Sequence, residues 1–277
     1  MNRYSAGILL IISLLVIDNL SVCNTAISVS QTFCENLINP VGIDTQQPRF
    51  SWQLTSPLRN QYQTSYRILV STSLEKIHQD IGDAWDSKRI KSEKSILIPY
   101  EGKKLEPATK YWWKVKVWDS KGRSTGWSEI STFTTGLFNE KHWLEAKWIG
   151  YEALADSLRL IHGRYISVNS PGNIARQRPV IPCFRKAFAA KKKVSSALLY
   201  ISGIGHYEVS VNGINISDYF LSPGWTNYEK TCFYNAYDIT DFIHEPVNVI
   251  GVIVGNGFHN INRERYRKLV IAFGMPK

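Results

Sequence analysis

Ten residues, Lys110 to Asp119, constrain this chain more than any other stretch: Lys-Tyr-Trp-Trp-Lys-Val-Lys-Val-Trp-Asp. Side chains on a β-strand point alternately to opposite faces. In that register Tyr111, Trp113, Val115 and Val117 share one face, while Lys114 and Lys116 share the other with Trp112 and Trp118. A helix would scatter both sets around its axis, so the segment predicts a strand with one apolar and one mixed face. Lys121-Gly122 then turns the chain. His206 to Val211 alternates in the same way into Asn212-Gly213, the strongest short hairpin signal, because both residues tolerate positive φ. No stretch repeats another and none keeps a helical apolar period, so the chain reads as all-β.

Shorter strands fill in around these two. Phe50 to Leu54 alternates, Tyr66 to Val70 does so in part, and Trp85–Ile90, Ile96–Ile98 and Ser131–Thr135 follow with turn residues between them. Residues 32–136 therefore read as a first β domain, and residues 137–182 as a connector and loop. Lys141–Tyr151, with Trp143, Trp148, Ile149 and Gly150, reads as a docking segment whose tryptophans pack between domains. Glu152–Pro182 is polar, holds several Gly and Pro, and reads as a long loop with one short helix around Ser157–Ile161. From residue 183 the pattern is β again. Phe184, Lys186 and Phe188 share a strand face, Ala197–Ser202 is continuous enough to predict burial on both sides, and Thr231–Tyr237 and Val247–Val254 add two more strands. Residues 183–277 read as a second sandwich that is incomplete at its C-terminus.

Residues 1–26 read as a signal peptide. Arg3 is followed by the uninterrupted run Ala6–Ile17, too short to span a bilayer. Leu20-Ser21-Val22-Cys23 resembles a lipoprotein box with an unusually bulky residue before the cysteine, and plain cleavage before Ile27 is the alternative. Either route exports the chain, to the periplasm, to the outer membrane as a lipoprotein, or to the outside of a bacterial cell. The other cysteines, Cys34, Cys183 and Cys232, are too widely spaced for a zinc site, and Cys183 and Cys232 are expected to be buried free thiols. A formal charge of +10 raises the question of nucleic acid. The basic residues are spread out, dense only at Lys191–Lys193 and Arg263–Lys268, and no nucleic-acid-binding motif accompanies them. A diffusely basic surface facing an acidic polysaccharide is the better expectation.

Few residues offer catalysis. Asp238-Ile239-Thr240-Asp241 sits at a strand end, where Asp and Thr ordinarily cap, and Glu245 and Glu264 stand apart from it. His206 and His259 lie beside Gly-rich turns with Ser202 and Ser210 nearby, but no Gly-x-Ser-x-Gly elbow exists, and Gly203-Ile204-Gly205 reads as a bend. No catalytic residue, metal or cofactor is expected. Pro223-Gly224-Trp225-Thr226 and Gly255-Asn256-Gly257-Phe258-His259 carry sugar-binding chemistry. An exposed indole stacks on a sugar face while Asn and Arg side chains bond its hydroxyls. Trp225, Asn256, His259, Arg263 and Arg265 are the candidates for carbohydrate binding. The alternative is that Gly-Asn-Gly makes a tight turn and that Trp225 plugs a sandwich edge or a domain joint.

The Leu105-x-Pro107-x-Thr109-x-Tyr111 opening resembles the tyrosine corner of fibronectin type III domains. Glu35–Asp44, Pro48–Trp52, Lys147-Trp148-Ile149-Gly150, Val211-Asn212-Gly213, Ser222–Thr226 and Gly255–Phe258, in that order, resemble the N-terminal region of bacterial α-L-rhamnosidases of glycoside hydrolase family 78. The resemblance implies a fibronectin type III-like β-sandwich followed by a truncated jelly-roll β-sandwich. It implies an exported enzyme that removes terminal α-L-rhamnose from a rhamnose-containing glycan, using acidic residues on a helical (α/α)6 barrel. Nothing in this chain matches that barrel, so the chain alone is expected to be inactive and its partner to be the missing C-terminal catalytic domain. A stand-alone carbohydrate-binding or adhesive protein is the alternative.

Overall fold

The computed structural model describes residues 27–150, 181–190, 192–217, 219–244, 246–255 and 257. The leader, the short helix expected around Ser157–Ile161, and Glu245, Asn256, His259, Arg263, Glu264 and Arg265 lie outside them. The regular elements of the described chain are almost all strands, in two packed β-sandwiches.

The first sandwich faces a three-stranded sheet against a six-stranded one. β1 (Ser28–Cys34), β3 (Arg49–Thr55) and β7 (Ile98–Pro99) form the smaller sheet in the order β1-β3-β7. The larger runs β2 (Val41–Ile43), β9 (Ser131–Thr135), β8 (Lys110–Asp119), β4 (Gln63–Ser71), β5 (Trp85–Asp86), with β6 (Ile90–Lys91) also on β4. β1 starts ahead of Thr32, and Ile27 just before it is already in the core. The alternation along β8 is realised: Tyr111, Trp113, Val115 and Val117 are all buried. Phe50 from β3 sits among their rings, 4.5 Å from Trp113 and 5.7 Å from Phe133 between centroids, and Phe133 stacks on Tyr111 at 5.2 Å. Rings offset and edge-on in this way add to the large apolar area they remove from water. The Tyr111 hydroxyl accepts from the Glu106 N–H at 2.9 Å, so the corner ties the incoming loop to the strand. A buried Gln63 completes the interior, accepting from the Trp52 indole N–H and donating to the carbonyls of Ser92 and Lys94.

One departure from the alternation is Lys114. It lies on the outer face with Lys116 but is buried, because the short helix α1 (Leu74–His78) packs over that end of β4 and β8. Its ammonium donates to the Ile77 carbonyl and to Asp80, so the charge is paired as it is covered. Leu69 and Ile77 are fully buried under the same helix.

The second sandwich sets a four-stranded sheet, β10 (Cys183–Ala189), β15 (Val247–Gly255), β12 (His206–Val211), β13 (Ile214–Asn215), against the pair β11 (Leu198–Ser202) and β14 (Tyr234–Asp238). Tyr207, Val209 and Val211 on β12, Val254 on β15 and Tyr237 on β14 make its core. The β12–β13 hairpin turns at Asn212 (φ 50°) and Gly213 (φ 85°). The strand over Ala197–Ser202 corrects an expectation: it is half-buried throughout rather than covered on both sides, since β11 pairs only with β14 and one of its faces meets the core. Cys183 and Cys232 are free thiols but are exposed and half-buried respectively, whereas Cys34 is the buried one, its thiol pushed well up by burial. Cys183 opens an edge strand, which explains its exposure.

Candidate functional site

The two sandwiches meet along a narrow joint, and Asp238, one of the carboxylates weighed from the sequence, is spent there. The Tyr200 hydroxyl donates to the Thr135 carbonyl at 2.8 Å, and burial together with the neighbouring Tyr234 phenol pushes its pKa up to about 12. Tyr234 accepts from the Leu137 N–H at 2.9 Å and is capped by the Trp143 ring, edge-on at 5.6 Å. Gly42 (φ +88°) leaves no room for a side chain: a Cβ there would fall 2.6 Å from the Ala236 Cβ, and one on Gly136 would strike the Tyr234 hydroxyl. Trp143 thus packs between the domains as expected. Trp148 does not; it is 57% exposed among the described residues.

Asp238 belongs to this joint. One carboxylate oxygen accepts from the Thr240 N–H and hydroxyl, and the other pairs with Lys110 of the first sandwich at 3.1 Å. Burial pulls its pKa up, but the Thr240 hydrogen bonds and Lys110 outweigh that and hold it below the usual carboxylate range. It is a structural carboxylate. Ser202 donates to the Phe233 carbonyl and Ser210 to that of Gly251, so neither hydroxyl is set up as a nucleophile. Among the described residues no group of three or more His, Cys, Asp or Glu side chains is placed to hold a metal ion.

The Trp225 loop and the end of β15 meet, at the level of backbone, at one end of β12, and Trp225 is the one sugar-binding candidate among the described residues. The Tyr207 N–H donates to the Ser222 carbonyl, which anchors the Trp225 loop there. His206 pairs with Gly255 at the end of β15, and Gly257 lies so close that a Cβ on it would come within 3.2 Å of Gly205 and His206. Trp225 is 66% exposed, and Phe220 in the same loop is 97% exposed. The loop is nonetheless ordered by its own bonds, Thr226 to the Thr231 carbonyl and the Lys230 and Thr231 N–H groups to the Asn227 carbonyl. Trp225 is therefore presented outward rather than plugged into the sandwich edge. Sequence reading missed two features. One is the apolar rim of Tyr219, Phe220, Leu221 and Phe233 around it, all more than half exposed. The other lies at the opposite end of β12, a shallow hollow of about 500 Å³ between Lys192, Lys193, Asp241 and His244.

The described residues thus form two packed all-β domains, with Asp238 in a structural role and an aromatic loop turned outward. The comparisons say to which family they belong. Residues 29–139 match the Rha78A-like, N-terminal immunoglobulin domain, and residues 192–275 match the α-L-rhamnosidase N-terminal domain. The chain carries the two N-terminal domains of the α-L-rhamnosidase family. It is 38% identical over 228 residues to an α-L-rhamnosidase of Formosa agariphila, covering 81% of this chain and 24% of that protein. An α-L-rhamnosidase of Streptomyces avermitilis is 30% identical over 233 residues, covering 84% of this chain and 22% of its own length. Among solved structures, the Dictyoglumus thermophilum α-L-rhamnosidase superposes with a TM-score of 0.69 at 41% identity, over 84% of this chain and 25% of that one. The Aspergillus terreus enzyme gives 0.66 at 29% identity, over 86% and 25%. The chain thus spans about a quarter of the length of the relatives it matches.

Proposed function

We propose that the chain is the non-catalytic N-terminal part of an exported α-L-rhamnosidase that removes terminal α-L-rhamnose from glycosides or polysaccharides. The observation that carries this reading is that both family domains occur in order and together match about a quarter of each relative. Glycoside hydrolysis ordinarily needs two carboxyl groups facing each other across the scissile bond. Asp238 has both oxygens engaged by Thr240 and Lys110 and offers neither. The apolar run Ala6–Ile17 supports export, and the exposed rim around Trp225 supports a surface that packs on, or borders the entrance of, a following domain. Assayed alone on an aryl α-L-rhamnoside, the purified chain should give no turnover above buffer. Grafted in place of the matched quarter of the Dictyoglumus thermophilum enzyme, it should leave that enzyme active. Turnover by the chain alone, or an inactive but folded graft, overturns the reading.

A free-standing carbohydrate-binding protein is the second reading, favoured by the outward Trp225. It requires measurable affinity of the isolated chain for rhamnose, weakened at least about fivefold by Trp225→Ala, since a stacked ring is worth about 1 kcal/mol or more. Calorimetry showing no heat of binding removes it.

A further inference from the structure

The outer face of the six-stranded sheet in the first sandwich carries a charge arrangement that a fold alone does not call for. Arg67 on β4 and Lys116 on β8 stand directly opposite each other in the antiparallel register. Like charges in that position repel. The Trp127 indole lies between them, with the Arg67 guanidinium 5.8 Å and the Lys116 ammonium 4.5 Å from its centroid, and the Lys114 ammonium 5.0 Å away as well. Three cations share one ring, and their carboxylate partners are unevenly placed. Asp86 takes Arg67 in a two-pronged pair and Asp80 takes Lys114. Lys116 is left mainly with the indole: Asp80 acts on it only from beyond ion-pair distance, and among the described residues no carboxylate comes within that distance. Two residues along the same face of β8, Trp118 repeats the pattern, with the Arg89 guanidinium 4.5 Å over its ring and likewise without an ion-pair partner. Alternate residues of a strand lie about 7 Å apart, so Lys116 and Arg89 form a short row of cations set over two indoles, each without a salt-bridge partner among the described residues.

We propose that this face binds an anionic polysaccharide, whose carboxylate or sulfate groups meet Lys116 and Arg89 in turn. Cations held on indole faces have lost part of their hydration and much of their side-chain freedom before any ligand arrives, which lowers the cost of binding an extended anion. The same stacking argues against single-stranded nucleic acid. Such ligands need open aromatic faces on which bases stack, and here Trp118 and Trp127 are covered by the protein's own cations. The inference concerns the first sandwich and stands apart from the reading of the Trp225 loop.

Titration of the whole chain with an oligogalacturonate, with a sulfated dextran oligosaccharide and with an oligodeoxynucleotide of equal charge tests it. At least one of the two saccharides should bind saturably and quench tryptophan fluorescence. The double variant Lys116→Glu/Arg89→Glu should weaken that binding at least tenfold and lower the dependence of log K on log salt by about one per cation removed. Lys192→Glu/Lys193→Glu, at the hollow on the second sandwich, should leave it unchanged. If the glutamate variant does not fold, Lys116→Met/Arg89→Met keeps the stems on the indoles and still removes both charges. Failure of both saccharides to bind, tighter binding of the oligonucleotide, or equal weakening by the Lys192/Lys193 variant overturns the proposal.

Discussion

Asp119 ends β8 with no exposed surface. One of its oxygens accepts from the N–H groups of Lys121 and Arg123, and the other pairs with the Arg123 guanidinium. Burial works against the charged form, yet the bonds from Arg123 and Lys121 outweigh it and hold the group below the ordinary carboxylate range. A group whose folded pKa lies below its unfolded value, near 3.9, stabilises fully above that value and loses its contribution as pH falls through the folded pKa. Asp119→Asn should therefore cost about 2 kcal/mol at neutral pH, and the difference from the parent should shrink as the pH is taken below about 4. Urea denaturation of both proteins over that range measures it; a difference that stays constant with pH would show that the carboxylate's charge is irrelevant. Lys114 poses the complementary case, a buried ammonium whose exposed partner Asp80 reaches in to meet it.

At the scale of elements, the β12–β13 hairpin separates two costs that are usually mixed. Gly213 has φ +85° and nothing within 4 Å of where a Cβ would stand, so Gly213→Ala brings strain without a clash, about 1 kcal/mol. Asn212 is held from behind: its amide donates to the Phe242 carbonyl and to Asn248, and its carbonyl accepts from the Val249 N–H. Asn248 is fully buried and also bonds both backbone groups of His244. Asn248→Leu leaves those groups unpaired and should cost more, about 2–4 kcal/mol; equal effects in thermal melts would contradict this account. The hairpin itself was legible in the sequence because turn and strand signals there coincide. The helix over Lys114 was not, since five residues carry no period, and so a lysine that alternation placed on the outer face proved buried. Ala197–Ser202 misled for the opposite reason. An apolar run shows that a strand is covered but not on how many sides, and β11 turns Leu199 and Ile201 to the core from one face.

For the whole molecule, the joint decides whether the two sandwiches behave as one body. Ion pairs such as Lys110–Asp238 contribute little alone, but the joint adds two tyrosine bonds, the Trp143 ring and two backbones that pass too closely for a methyl group. We expect a single calorimetric transition for the parent chain. Gly136→Val, which drives a side chain into the Tyr234 hydroxyl, should separate it into two. Two transitions in the parent would mean that the joint does not couple the domains. Sequence reading located the sugar-binding candidates only in part. It singled out Trp225, which the fold presents to solvent, while Asn256, His259, Arg263 and Arg265 lie outside the described residues, and the aromatic rim escaped it because exposure has no sequence period. Of the joint, only Trp143 was legible, and the rest was hidden for a deeper reason. It is specified by side chains that are missing, at Gly42 and Gly136, opposite an alanine and a phenol more than sixty residues away. Recombination between relatives would meet the same constraint. A first sandwich from one lineage can be inherited with a second from another only if both halves preserve these small gaps, so the two domains are expected to descend as a pair.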